Sequence, residues 1–186
     1  MLAGGESRRM RSDKGALSVE GQTLVARCLQ LVQPVCKTAY VSVRSVQSGA
    51  QPYRDLPLVT DDARFGGPAA GLLSAWLRFP EEALLVVAVD LPLITARTLD
   101  DLVSRRKPTA CATAFRHGDG TIEPLCTIWE PKLRTALLEA ETSPSLRRIL
   151  EESDVHLLDP PDSAELVSTN TPEALAAAQD ALEDVR

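Results

Sequence analysis

The spacing of apolar positions changes repeatedly along the chain. From residue 22 to 32 they fall at Leu24, Val25, Cys28, Leu29 and Val32. That spacing gathers them on one helical face, and Pro34 stops it. Residues 38–43 carry β-branched and aromatic side chains and predict a strand, and residues 56–60 predict another short one. A breaker-rich loop, Asp61-Asp-Ala-Arg-Phe-Gly-Gly-Pro, then leads into a helical stretch at 69–79. Residues 83–89 are uninterrupted apolar and end abruptly in Asp90-Leu-Pro. Such a run marks a strand covered on both faces. A helix is predicted over 95–106. Strands follow over 110–115 and 125–129, with the turn His117-Gly-Asp-Gly between them. Helices over 131–141 and 144–152 and a strand over 155–158 come next. Thr171 can cap a last helix that has Pro172 at its first position.

Strands alternating with helices around a fully apolar central strand predict an α/β domain with a mostly parallel sheet. No repeat or linker interrupts it, so one domain is expected over residues 1–186. In such folds a glycine-rich loop follows a first strand. Only Met1 and Leu2 precede the loop here, so that strand is expected to be truncated.

Composition narrows the functions. The net charge of −6 argues against a nucleic-acid partner, whose affinity rests on a basic footprint. One segment is nevertheless basic, with Arg8, Arg9, Arg11 and Lys14 close together. The four cysteines, Cys28, Cys36, Cys111 and Cys126, form no C-x-x-C pair, and two histidines do not cluster with them. That pattern speaks against structural zinc. No apolar stretch is long enough to span a bilayer, and a cytoplasmic location without membrane contact is expected.

Five segments carry candidate chemistry. In Leu2-Ala-Gly-Gly-Glu-Ser-Arg-Arg-Met-Arg-Ser-Asp-Lys, adjacent glycines let the backbone approach a phosphate, and the arginines and Lys14 can neutralise it. The spacing is not that of a Walker A loop, which requires Gly-Lys-Ser/Thr. Asp90, at the end of the buried strand, stands at the edge where open α/β sheets bind ligands. A hard carboxylate there suits Mg²⁺, although Asp-x-Pro is also a common turn. Asp61 or Asp62, followed by Gly66-Gly-Pro-Ala-Ala-Gly, offers an acid to a ribose or base edge, or forms a solvated surface loop. Glu123-Pro-Leu places a carboxylate either toward the site or on a strand edge. Asn170-Thr-Pro-Glu is a good helix start on physical grounds alone.

These segments, in this order, resemble the molybdenum cofactor guanylyltransferases from Leu2 to about Leu182. The resemblance implies a Rossmann-like three-layer α/β/α sandwich of the nucleotide-diphospho-sugar transferase type. It implies transfer of GMP from GTP to the phosphate of molybdopterin, with pyrophosphate released. GTP and the molybdopterin cofactor are then the substrates, and other cofactor-biosynthesis proteins or molybdoenzymes are candidate partners. Residue by residue, it implies nucleotide contacts from the backbone of Leu2, Ala3 and Gly4. It further implies a phosphate-binding and catalytic Lys14, a guanosine-contacting Asp61, and Asp90 as Mg²⁺ ligand and catalytic residue. Departures from the family pattern are Ser42 where some members have Asn, Arg11 where Gly is usual, and Ser168 where Asn is frequent. Three other readings share part of these features: a CTP-dependent molybdenum cofactor cytidylyltransferase, a sugar-phosphate nucleotidyltransferase, and a non-catalytic nucleotide-binding module.

Overall fold

The computed structural model describes residues 1–4, 13–19, 21–139 and 143–183. In chain order the elements are β1 (Ser18–Val19), β2 (Gln22–Thr23), α1 (Leu24–Val32), β3 (Val41–Val43), β4 (Leu58–Thr60), α2 (Gly67–Arg78) and β5 (Leu84–Val87). They continue with α3 (Ala96–Ser104), β6 (Ala112–Arg116), β7 (Ile122–Trp129), α4 (Leu133–Glu139), α5 (Leu146–Glu151), β8 (Val155–Leu158) and α6 (Pro172–Glu183). The helix expected from residue 22 begins two residues later, because Gln22 and Thr23 close a small antiparallel hairpin with Ser18 and Val19. Thr23 then caps α1, its hydroxyl accepting from the Ala26 N–H at 3.3 Å. All five residues of the expected apolar face are buried.

Residues 1–3 fill the slot between β3 and β5. Leu2 forms parallel bridges to Ser42 and to Ala88. Its N–H donates to the Val87 carbonyl at 2.9 Å, and its own carbonyl accepts from Val89 at 3.2 Å. On the other side the Met1 carbonyl accepts from Ser42 at 2.8 Å, and Ala3 donates to Ser42 at 2.9 Å. The amino group of Met1 donates to the Tyr40 carbonyl at 2.9 Å. Residues 1–3 are therefore paired on both sides. Burying these groups unpaired would have cost roughly 1–3 kcal/mol each.

Through residues 1–3 the sheet runs β4–β3–residues 1–3–β5–β7–β6–β8. Its neighbours are parallel except at β7, which is antiparallel to both β5 and β6. The tight turn from His117 to Gly120, with Gly120 at φ 85°, makes β6 and β7 a hairpin and so forces that reversal. β7 starts earlier than the expected residue 125. It passes through Pro124, which has no N–H to give the ladder, and the register against β6 shifts between Ala114 and Arg116. Ile122 consequently faces the same core as Trp129, although an unbroken strand would turn it to the opposite face.

Apolar clusters cover both faces of the sheet among the described residues. Val86, Ala112, Ala114 and Trp129 pack with α2, α4 and α5, whereas Val87, Phe115, Cys126 and Ile128 pack with α1 and α3. Adjacent Val86 and Val87 thus point into opposite cores, as the continuous apolar run predicted. The result is the expected three-layer α/β/α arrangement. The buried indoles keep their N–H groups paired, Trp76 to the Glu82 carbonyl at 3.1 Å and Trp129 to that of Pro124 at 3.3 Å. No helix among the described residues is long and apolar enough to cross a membrane.

Candidate active site

The carboxyl ends of the parallel strands form one edge, and the sequence motifs meet there. After β5 the chain runs through Ala88 and Val89 to Asp90, inside the tight turn that precedes α3. Lys14 sits in a short 3₁₀ turn, Lys14–Ala16, capped by Asp13. Its Nζ donates to Asp90 Oδ2 at 2.9 Å and to Asn170 Oδ1 at 2.6 Å. The Lys14 and Asp90 side chains are only 16% and 17% exposed. Asp90 Oδ1 is buried and has no hydrogen-bond partner among the described residues. A carboxylate oxygen kept from both water and donors is costly unless something else binds it.

Asn170 reaches this point because its segment is stitched to the Asp90 turn. The Asp90 carbonyl accepts from the Thr169 N–H at 2.8 Å and from its hydroxyl at 3.3 Å. The Asn170 amide donates to Ser168 Oγ at 2.6 Å, which leaves Oδ1 facing Lys14. Thr171 caps α6 as expected, accepting from Ala174 at 3.2 Å. Sequence reasoning took Asn170 for part of a helix start and missed its side chain. The available signal was the order of the motifs, which brought Asn170-Thr-Pro-Glu into the same resemblance as Asp90.

The two neighbouring aspartates separate cleanly. Asp61 follows β4, its N–H donating to the Val43 carbonyl at 2.8 Å. Its Oδ1 accepts from Ser42 Oγ at 2.5 Å, and its Oδ2 occupies the space where a Cβ on residue 4 would stand. A side chain at position 4 would displace the Asp61 carboxylate. Burial raises the Asp61 carboxyl pKa, opposed by the Ser42 hydrogen bond and the charge of Arg44. Asp62 points away into an exposed bidentate pair with Arg64, whose hydrogen bonds hold its carboxyl at about 2.

Leu2 and Ala3 spend their N–H groups, and Leu2 its carbonyl, on the sheet. The Gly4 N–H and carbonyl have no partner among the described residues. Arg8, Arg9 and Arg11 lie outside the described residues. Glu123 serves its own hairpin: Oε2 meets His117 Nε2 at 3.0 Å, and Oε1 accepts from the Leu125 N–H at 2.7 Å. Farther along the same edge a groove of about 560 Å³ passes Arg97, Arg116, His117, Asp159 and Pro160.

Known proteins resemble the chain over most of its length. The Molybdenum cofactor guanylyltransferase of Pseudomonas fluorescens is 34% identical over 182 residues, covering 94% of this chain and 90% of that protein. The Molybdenum cofactor biosynthesis bifunctional protein of Synechocystis is 29% identical over 177 residues, and the match covers 93% of this chain but only 51% of that longer protein. The solved structure of Molybdopterin-guanine dinucleotide biosynthesis protein A from Archaeoglobus fulgidus superimposes with a TM-score of 0.79 at 20% identity. That match covers 98% of this chain and 97% of the other, and it shows the shared fold. The MobA-like NTP transferase domain matches residues 1–157, which carry the glycine segment, Lys14, Asp61 and Asp90, and with that match and the Pseudomonas relative the chain belongs to this nucleotidyltransferase family.

Proposed function

We propose that the chain transfers GMP from GTP to the terminal phosphate of molybdopterin and releases pyrophosphate, acting in the cytoplasm as one catalytic domain. The observation that carries this reading is the meeting of Lys14, Asp90 and Asn170 at the carboxyl edge, beside Gly4 and Asp61. The names of the relatives supply the acceptor.

Asp90 offers a hard carboxylate whose Oδ1 is buried without a donor among the described residues, and Asn170 adds an amide oxygen. This donor set fits Mg²⁺, which takes one or two protein oxygens and completes its shell with phosphates and water. When bound, the ion would neutralise charge on the reacting phosphates. Asp90 and Asn170 would hold it.

The chain's own groups do the remaining work. Lys14 would leave its carboxylate partner for the triphosphate and stabilise the charge that builds on the departing pyrophosphate. The Gly4 backbone would pack against the nucleoside, next to Leu2 and Ala3. Asp61 would read the base. Guanine presents its N1–H and N2–H donors side by side to a carboxylate, whereas cytosine presents an amino donor next to a bare acceptor nitrogen that a carboxylate repels. An oxygen of the acceptor phosphate attacks the α-phosphorus, a new P–O bond forms, and the bond to the β-phosphate oxygen breaks. The phosphate nucleophile is already anionic near neutral pH, so the work is positioning and charge neutralisation. The groove past Arg116 and Asp159 gives an extended acceptor room along the same edge.

Pyrophosphate release with GTP, CTP or ATP, each with molybdopterin and Mg²⁺, tests the reading. Release with GTP is the expected result. Release with CTP instead would reassign the base, and binding without release would make the chain a nucleotide-binding module.

A further inference from the structure

We infer that Gln47 and Tyr53 clamp together the two ends of the segment between Gly4 and Asp13, and thereby set the position of Lys14 for a triphosphate. The inference rests on the function proposed above. Asp13 is the meeting point. Its Oδ1 accepts from the Tyr53 hydroxyl at 2.5 Å and from the Gly15 N–H at 3.0 Å, and its Oδ2 accepts from Gln47 Nε2 at 2.6 Å. The same Gln47 nitrogen reaches the Ala3 carbonyl at 3.4 Å, while Gln47 Oε1 accepts from the Arg44 N–H at 3.0 Å. One side chain therefore touches the residue before Gly4 and the residue before Lys14.

The clamp is buried and closely fitted. Tyr53 is 1% exposed and Gln47 6%. A Cβ on Gly15 would collide with the Tyr53 hydroxyl, so only glycine lets the turn that carries Lys14 close onto it. Burial, and then the bond to Asp13, push the Tyr53 phenol upward, so its hydroxyl keeps its proton and stays a donor. Both clamp residues come from the crossover between β3 and β4, far in sequence from the segment they hold.

The physical consequence is that Ala3 and Asp13 are already held together before ligand arrives. Lys14 follows Asp13 directly, so a shift of Asp13 moves its ammonium. A misplacement of about 1 Å at such a group can cost on the order of 100-fold in rate. Gln47 and Tyr53 act through Asp13 and are positioning residues.

The test measures three ligands on three proteins. GTP with Mg²⁺, inorganic pyrophosphate and guanosine are titrated calorimetrically against the unaltered chain, Tyr53→Phe and Gln47→Met. Each variant loses hydrogen bonds to a carboxylate or carbonyl and should weaken GTP and pyrophosphate about tenfold. Guanosine, which has no phosphate for Lys14, should lose clearly less. Thermal midpoints identify a variant that fails to fold, and the other variant then decides. Unchanged pyrophosphate affinity in a folded variant overturns the clamp, and so does an equal loss for guanosine. Should the unaltered chain bind neither GTP nor pyrophosphate, the proposed function itself fails and the clamp falls with it. Binding by the unaltered chain with unaffected variants defeats the clamp alone.

Discussion

The hydroxyl of Ser42 donates to Asp61 at 2.5 Å, across the ends of two neighbouring parallel strands. Ser42 is 5% exposed, and its Oγ in turn fills the space beside Gly71 of α2. The carboxylate proposed to read the base is thus hydrogen-bonded by Ser42 and packed against Gly4. Ser42→Ala should weaken GTP more than ITP, which lacks the 2-amino group, and so shrink the preference for GTP by about tenfold. Competitive titration of the two nucleotides measures that ratio. An unchanged ratio would separate Ser42 from base reading.

The pH dependence of GTP binding follows from the same carboxylate. Burial raises its pKa in the folded chain, and guanine donors need the ionised form. GTP affinity should therefore fall as pH drops through a value above the ordinary aspartate one, and level off at higher pH. The stability contribution has the opposite sense. The folded state holds this proton more tightly than the unfolded state, so stability is lost as pH rises between the unfolded and folded values. Asp61→Asn should remove the pH step from binding, as affinity titrations across acidic to neutral pH would show.

Gly71→Ala sets two effects against each other. Helix propensity alone favours Ala by about 1 kcal/mol. The new Cβ would collide with Ser42 Oγ and Leu2 Cδ2, a contact that joins α2, β3 and the first strand. Overpacking of this kind costs about 1–3 kcal/mol, so the net effect should be destabilising. Urea unfolding measures it, and a more stable variant would contradict the packing described.

Away from the site, Arg106 holds Glu130 through two bonds of 2.7 and 2.9 Å, with the Glu130 side chain 4% exposed. Arg106→Met leaves a buried carboxylate unpaired. Because Arg106 is itself 39% exposed, the expected loss is about 1–3 kcal/mol, below the range for a fully buried pair. Adding Glu130→Leu should restore most of it. Denaturation of the single and double variants decides the point, and GTP affinity should not change in either.

How far the sequence could be read depended on how local the signal was. The face of α1 and the covered strand at 84–87 follow from residue spacing, because burial of one face imposes its period on the chain. The hairpin of Ser18–Val19 with Gln22–Thr23 did not, since two-residue strands leave no period to detect. The early start of β7 was not legible either, since Pro124 gives no N–H to the ladder and is accommodated where the register against β6 shifts. The residues of the site were nameable from motif order and resemblance. Their partners were not: Lys14 lies 76 residues from Asp90 and 156 from Asn170, and no spacing rule reports contacts of that range. Asp61 and Asp62 look equivalent as residue types, and the resemblance alone singles out Asp61; in the structure Ser42 and Gly4 on one side and Arg64 on the other separate them.

The central claim is that Lys14 and Asp90 serve one reaction on a metal-bound triphosphate. The most direct measurement is pyrophosphate release from GTP and molybdopterin as a function of Mg²⁺, for the unaltered chain and for Asp90→Asn. Asn keeps the shape of Asp90 and should leave the thermal midpoint close to that of the unaltered chain. It removes the charge that faces the cation, so turnover should fall at least about 100-fold, with the Mg²⁺ requirement moved to higher concentration. A folded Asp90→Asn protein with near-normal turnover and an unchanged Mg²⁺ dependence would contradict the account.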